Sequence, residues 1–260
     1  MGAASMTEFA TYPSLRDKAV LITGGGSGIG AAFVEAFALQ GAKVAFLDVA
    51  EQASRELLDS LEGRTVHPPV FLPCDLTDIP SLQSSIEHVA AVCGPIRVLV
   101  NNAGSDDRHH FAEVTSAYWD QRIAVNLKHQ FFASQTVVAG MRGAGGGSIV
   151  NMSSIAWMIP TPNLSVYETA KAAIVGMTKA LAHDLGTANI RVNCVSPGAI
   201  LTERQRRLWM SPEYEREVLS RQCIQRNILP EDVARLVLFL AADDSSAITN
   251  QNYIVDGGWI

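Results

Sequence analysis

The stretch Ala19-Val20-Leu21-Ile22-Thr23-Gly24-Gly25-Gly26-Ser27-Gly28-Ile29-Gly30 decides the fold. Its first residues are apolar on both faces, the pattern of a strand buried on both sides in a parallel sheet. The glycines then let the chain turn tightly and bring backbone N–H groups against a pyrophosphate. The N-terminus of the helix that follows, over residues 29–40, completes that anion site. A glycine-rich turn alone is a weak sign, and it gains weight from the strand before it and the helix after it. Gly24, Ser27, Gly28, Ile29 and Gly30 are therefore candidate cofactor contacts, although Gly24-x3-Gly28-x-Gly30 is looser than GxGxxG.

Working outward, short β-rich runs at 43–47, 70–73, 98–101, 148–152, 191–195 and 252–255 read as six further strands. Amphipathic segments at 29–40, 52–62, 82–93, 117–141, 165–186 and 231–241 read as helices between them. This alternation predicts an α/β fold. A single doubly wound Rossmann-type domain is expected, with a seven-stranded parallel sheet, helices on both faces and ligands at the carboxyl ends of the strands. Residues 15–260 form the expected catalytic domain and residues 1–14 a loose N-terminal arm. No repeat, low-complexity linker or charge block divides the chain, and the glycine cluster at 143–147 reads as a loop.

Composition narrows the function classes. The 260 residues are 48% hydrophobic and 18% charged, too apolar for a disordered chain, and their net charge is −6. That balance supplies no basic face for nucleic acid. Apolar runs break well before the ~18 residues of a membrane span. Cys74, Cys93, Cys194 and Cys223 show neither CxxC nor zinc spacing, so a reduced, cytoplasmic protein is the default expectation. Residues 1–14 lack the basic and apolar regions of a secretory signal.

Asp48 ends the second strand, twenty residues after Gly28. A carboxylate there accepts both adenosine ribose hydroxyls and repels a 2′-phosphate. No Lys or Arg stands in the glycine turn or at 49–51, so NAD is expected over NADP. Asp75 and Leu76 follow the third strand, and Asn101, Ala103 and Gly104 end the fourth. All five are candidates for the adenine edge. Asp75 is equally suited to cap the next helix.

Tyr167 and Lys171 form a Tyr-x3-Lys pair on one helix face. A phenol of pKa ~10 is only about 0.1% ionised at neutral pH, and useful basicity costs about 4 kcal/mol. A nearby ammonium supplies part of that shift. Ser154, just after the strand 148–152, is placed to hydrogen-bond a substrate oxygen while Tyr167 exchanges its proton. Ser153 is the rival, but adjacent side chains of an extended segment point oppositely.

In this order, Thr-Gly-x3-Gly-x-Gly, Asn-Asn-Ala-Gly, Ser154 with Tyr167-x3-Lys171, and Pro197-Gly198 resemble the short-chain dehydrogenase/reductase family over about residues 15–260. The resemblance implies a tetrad of Asn126, Ser154, Tyr167 and Lys171. Ser154 would orient the substrate oxygen, Tyr167 act as acid/base, and Lys171 bind the nicotinamide ribose and lower the Tyr167 pKa. Asn126 would hold a helix kink and a proton-relaying water. Pro197, Gly198, Ile200 and Thr202 would meet the nicotinamide end, and residues 200–225 would form a substrate lid. A homotetramer built through the paired long helices and the C-terminal strand region is also implied.

Tyr12-Pro13-Ser14-Leu15, Gly104-Ser105-Asp106-Asp107-Arg108-His109, Ala117-Tyr118-Trp119-Asp120 and Tyr167-Glu168-Thr169-Ala170-Lys171 look like the bacterial NAD-dependent aldose 1-dehydrogenases of that family. The polar loop after Gly104 agrees, because a sugar needs donors and acceptors to replace its water. Asp107, Arg108 and Trp157 join Ser154 and Tyr167 as candidate substrate contacts. A ketone or 3-oxoacyl reductase on the same tetrad is the alternative, and a non-catalytic dinucleotide sensor a more distant one. The run 106–110 carries Asp and His, but the family reaction needs no metal and no ligand spacing recurs, so no metal is expected.

Overall fold

The computed structural model describes residues 9–260. Strands β1 (Ala19–Thr23), β2 (Lys43–Asp48), β3 (Val70–Pro73), β4 (Ile96–Asn101), β5 (Gly147–Met152), β6 (Ile190–Pro197) and β7 (Asn252–Val255) form one sheet. Its order is β3-β2-β1-β4-β5-β6-β7, and every neighbouring pair is parallel. All five residues of β1 are buried. Alternation sends Val20 and Ile22 to one core and Leu21 to the other, as in a sheet covered on both faces.

One face is covered by α1 (Gly28–Leu39), α2 (Glu51–Leu61) and α9 (Pro230–Ala241), which bring Phe33, Phe37, Leu61 and Val237 to it. The opposite face is covered by α3 (Ile79–Cys93), α5 (His129–Gly143) and α6 (Ser165–Leu185), with Leu82, Met141 and Leu185 in that core. The sheet order reverses between β1 and β4. The crevice beyond their ends is therefore the expected ligand site.

Two sequence expectations need correction. Residues 117–141 are not one regular helix. They divide into α4 (Ser116–Ile123), a π-helical turn at Ala124–Lys128, and α5. Asn126, where the resemblance implied a kink, sets the break: its Nδ2 donates to the Arg122 and Ser105 carbonyls at 3.0 and 3.2 Å. Its Oδ1 accepts the Ser105 N–H at 2.8 Å, so a side chain joins the backbone ladder. The loose N-terminal arm lies partly outside the described residues. Its described part is docked: Phe9 and Tyr12 pack on the core, and the Tyr12 N–H donates to Gln40 Oε1 at 2.8 Å.

Between β6 and α9 lie α7 (Glu203–Leu208) and α8 (Pro212–Arg221), the expected lid. Among the described residues, no helix is long and apolar enough to cross a membrane.

Candidate active site

A cavity of about 1120 Å³ opens at the carboxyl ends of the strands, and Gly24, Ser27, Gly28, Ile29 and Gly30 form its floor. Gly28 has φ +56°, a left-handed value that a side chain would strain. At Gly30 a Cβ would stand 1.9 Å from the Gly24 carbonyl oxygen, so turn and helix touch backbone to backbone. Ser27 occupies the N-cap of α1 without making a side-chain cap bond. The first-turn N–H groups thus lack intrahelical acceptors at the cavity floor, a donor set that suits a phosphate.

Asp48 lines the same cavity. Its Oδ2 accepts the Gly26 N–H at 2.8 Å and its Oδ1 the Ala50 N–H at 2.9 Å, which hold the carboxylate beside the turn. A dinucleotide fits these residues. Asp75 and Leu76 are cavity residues as well. Asp75 Oδ1 accepts from the Thr77 N–H and hydroxyl at 2.9 and 2.7 Å, while the cap of α3 is Asp78.

Ala103 and Gly104 reach the cavity, but Asn101 does not. Fully buried, it donates to Asn151 Oδ1 at 2.8 Å, Ser134 Oγ at 3.1 Å and the Gln130 carbonyl at 3.3 Å. Asn102 stands there instead, and its Nδ2 donates to the Thr23 and Gly24 carbonyls at 3.0 and 2.8 Å. Sequence reading includes Asn102 only within the Asn-Asn-Ala-Gly motif and names Asn101 as the contact. Alternation along β4 could have found it, because the last strand residue faces α5 and the next faces the crevice.

Ser154, Tyr167 and Lys171 come together across the cavity. The Ser153 hydroxyl is engaged elsewhere, donating to the Lys171 carbonyl at 2.7 Å. Lys171 Nζ donates to the Met152 carbonyl at 3.0 Å. Burial pulls Lys171 down to about 8, against the opposing pull of the Cys194 thiol and Asp106. Tyr167 departs from the expected lowering. Burial pushes it above its ordinary value and Asp106 adds to the rise, while the Ser154 hydroxyl and Arg204 pull it down and Glu168 raises it. The protein alone keeps this phenol protonated.

Asn126 is buried and does not line the cavity. It lies one layer behind the wall, since a Cβ on Gly104 would lie 3.0 Å from Asn126 Oδ1 and 3.1 Å from Lys171 Nζ. His129, also unforeseen, is buried there, and its Nε2 donates to the Ala103 carbonyl at 3.2 Å. Burial and the Lys171 charge hold it down at about 4, so this imidazole is neutral.

Pro197, Gly198, Ile200 and Thr202 line the far wall. Thr202 also caps α7, accepting the Gln205 N–H at 3.2 Å. Of the proposed substrate contacts, Arg108 lines the cavity with its guanidinium 4.2 Å from the Trp209 ring centre. Asp107 and Trp157 do not line it. Asp107 is drawn away to Arg122, Arg204 and the Ser105 hydroxyl, and Asp106 takes the inward place. Past Ser154, the wall is made by Ile155, Ala156 and Ile159 rather than Trp157. Among the described residues, no group of three or more His, Cys, Asp or Glu is placed to hold a metal ion.

A parallel sheet with a glycine turn at its reversal point and a Ser–Tyr–Lys group across the cavity defines a Rossmann-type oxidoreductase. Residues 24–260 match the family described as Enoyl-(Acyl carrier protein) reductase. The chain belongs to the short-chain dehydrogenase/reductase family, whose dehydrogenases use a nicotinamide cofactor. It is 52% identical to D-xylose 1-dehydrogenase of Caulobacter vibrioides over 250 residues, 96% of this chain and 98% of that one. It is 49% identical over 247 residues to a protein of Rhizobium meliloti described as "Probable galactose dehydrogenase", covering 95% and 96% of the two chains. A solved 7 alpha-hydroxysteroid dehydrogenase, complexed with NADH and 7-oxo glycochenodeoxycholic acid, superposes with TM-score 0.89 at 32% identity. That match covers 95% of this chain and 96% of the other.

Proposed function

We propose that the chain is an NAD-dependent aldose 1-dehydrogenase, oxidising the anomeric hydroxyl of a pentose or hexose to the aldonolactone. The observation that carries this reading is the wall around Ser154 and Tyr167. Asp106, Arg108, Arg204 and Gln205 line the same cavity opposite the apolar Ile155, Ala156 and Ile159, and they offer donors and acceptors that replace the water of a sugar's hydroxyls. The similarity to D-xylose 1-dehydrogenase over nearly the whole chain supports the same substrate class.

The residues divide the work by position. Ser154 orients the C1 oxygen, and Tyr167 takes the proton from the C1 hydroxyl as hydride leaves C1. Lys171 places an ammonium beside Tyr167, where its charge favours the phenolate. Asn126 holds Ser105 and the π turn, which keep Gly104 against Lys171. A nicotinamide dinucleotide held by the turn at 24–30 and by Asp48 would supply the hydride acceptor and, when oxidised, further positive charge near Tyr167. Asp48 is the basis for NAD over NADP.

The assembly belongs to the same proposal. Ile123, Leu127, Phe131 and Phe132 from the α4–α5 side, with Ala173 and Met177 of α6, form an apolar groove whose Phe131 is 43% exposed. A second copy of the chain covers this groove in a homotetramer, as the family resemblance implies. A reducing, cytoplasmic setting suits the four free cysteines, two of them buried.

A kinetic panel of D-xylose, L-arabinose, D-galactose and L-fucose with NAD tests the function. NADH should form with at least one sugar, and background rates with every sugar reject the reading. Tyr167→Phe should abolish turnover while NADH still binds, as read by its fluorescence. Retained turnover removes Tyr167 from its role.

A further inference from the structure

The lid reaches the reacting residues through a ladder of ion pairs that the mechanism above does not use. Arg204, on the first turn of α7, forks two carboxylates of the loop after β4. Its Nη1 donates to Asp106 and its Nη2 to Asp107 at 3.1 Å. Gln205 Nε2 donates to the second oxygen of Asp106 at 3.0 Å. Asp107 in turn is shared with Arg122, a buried residue on the last turn of α4, directly before the π turn that carries Asn126. Two guanidinium groups and two carboxylates thus link the lid to the helix break beside the tetrad.

The ladder has an inner and an outer side. Asp106, with its side chain only 20% exposed, lines the cavity together with Arg204, Gln205 and Tyr167. Asp107 lies outside it. An unpaired carboxylate on that wall opposes ionisation of a neighbouring phenol, and a guanidinium on the carboxylate cancels the effect. Both senses are present at Tyr167, which Asp106 raises and Arg204 lowers. The other charged groups facing it are Glu168 and Lys171 on its own helix. Arg108 of the loop, Glu203 of α7 and Glu217 and Arg221 of α8 line the same cavity, and His109 binds the Ser165 hydroxyl at the start of α6.

We propose that Arg204 is a positioning residue: when α7 sits on the loop after β4, its guanidinium neutralises Asp106 on the wall of the reacting hydroxyl's cavity, so that lid closure also raises the fraction of Tyr167 present as phenolate. The open lid leaves a carboxylate beside a neutral phenol, and the closed lid leaves a neutral pair. This inference rests on Tyr167 as the general base, which Tyr167→Phe tests separately by turnover alone.

The test is the pH profile of kcat/KM for oxidation of the aldose turned over fastest, with saturating NAD, in wild type, Arg204→Gln, Arg204→Lys, Asp106→Asn and the Asp106→Asn/Arg204→Gln double variant. The base must be deprotonated, so uncovering Asp106 in Arg204→Gln should move the acid limb up by about one pH unit, a rate loss of about tenfold on that limb. At the high-pH plateau the loss should be much smaller. Asp106→Asn should move the limb down, and the double variant should return it towards wild type. Arg204→Lys keeps the charge without the fork and should stay near wild type. A purely structural latch predicts one factor of loss at every pH, and that result overturns the proposal. So does a limb that moves as far in Arg204→Lys as in Arg204→Gln. If Arg204→Gln loses its fold, judged by circular dichroism, the direction of the Asp106→Asn shift decides: downward supports, unmoved or upward overturns.

Discussion

Lys171 Nζ stands 5.4 Å from the centre of the Tyr167 ring and donates to the Met152 carbonyl at 3.0 Å. One buried ammonium therefore joins the end of β5 to the phenol on α6. It is kept there at a cost, because burial disfavours its charge and pulls its pKa to about 8.

That cost predicts a trade of function against stability. The folded-state pKa of Lys171 lies below the unfolded value of ~10.4, so the folded chain disfavours the proton. The penalty is full below about pH 8 and fades as pH rises towards the unfolded value. Lys171→Met should therefore raise the Tm of the cofactor-free protein at neutral pH by about 3–6 °C, equivalent to about 1–2 kcal/mol. The gain should shrink in alkaline buffer, and turnover should fall by at least about 100-fold. Scanning calorimetry at two pH values checks it, and a lower Tm at neutral pH would count against a costly buried charge.

The proposed preference for NAD rests on Asp48, whose oxygens accept the Gly26 and Ala50 N–H groups. Asp48→Asn keeps one carbonyl acceptor and removes the charge. The ratio of kcat/KM with NAD to that with NADP should drop by about 10- to 100-fold, the range of one or two charge-assisted hydrogen bonds. A ratio unchanged in steady-state assays assigns the selectivity elsewhere.

Gly30→Ala places a methyl 1.9 Å from the Gly24 carbonyl oxygen, a backbone atom that cannot step aside without opening the turn. Destabilisation of more than about 3 kcal/mol and loss of NADH affinity should follow. Gly143→Ala is the control. Nothing lies within 4 Å of its added carbon at the end of α5, so it should leave stability unchanged or raise it by up to about 1 kcal/mol. Thermal melts and NADH fluorescence titrations of both variants give the comparison.

Phe131→Glu puts a carboxylate on the exposed apolar groove formed by α4, α5 and α6. Light scattering after size exclusion should show the proposed tetramer in wild type and smaller species in the variant, because a charge buried without a partner is not tolerated at an interface core. A tetramer that persists places the subunit contact on another face.

Much of the fold was legible because burial on both faces leaves a continuous apolar run, as in β1, and because a tight turn against a helix requires glycine, as at Gly30. The amphipathic pattern of residues 117–141 continues through the break, and only the family resemblance placed a kink there, at Asn126. The cause is a bond between Asn126 and Ser105, twenty-one residues apart, which no local periodicity records. Asn101 and Asn102 are chemically identical. Only the pleat of β4 and the position of α5 send one to Ser134 and the other to Gly24.

The sequence by itself determined the strand and helix succession, the glycine turn, Asp48 and the spacing of Ser154, Tyr167 and Lys171, since each is encoded in neighbouring residues. Tertiary structure alone decided which of Asp106 and Asp107 faces the cavity, because Arg122 and Arg204 come from distant helices to divide them. It also decided the state of the Tyr167 phenol. That state sums desolvation with charges from the β4 loop, α7 and α6, and such a sum exists only when these elements are packed around one hydroxyl.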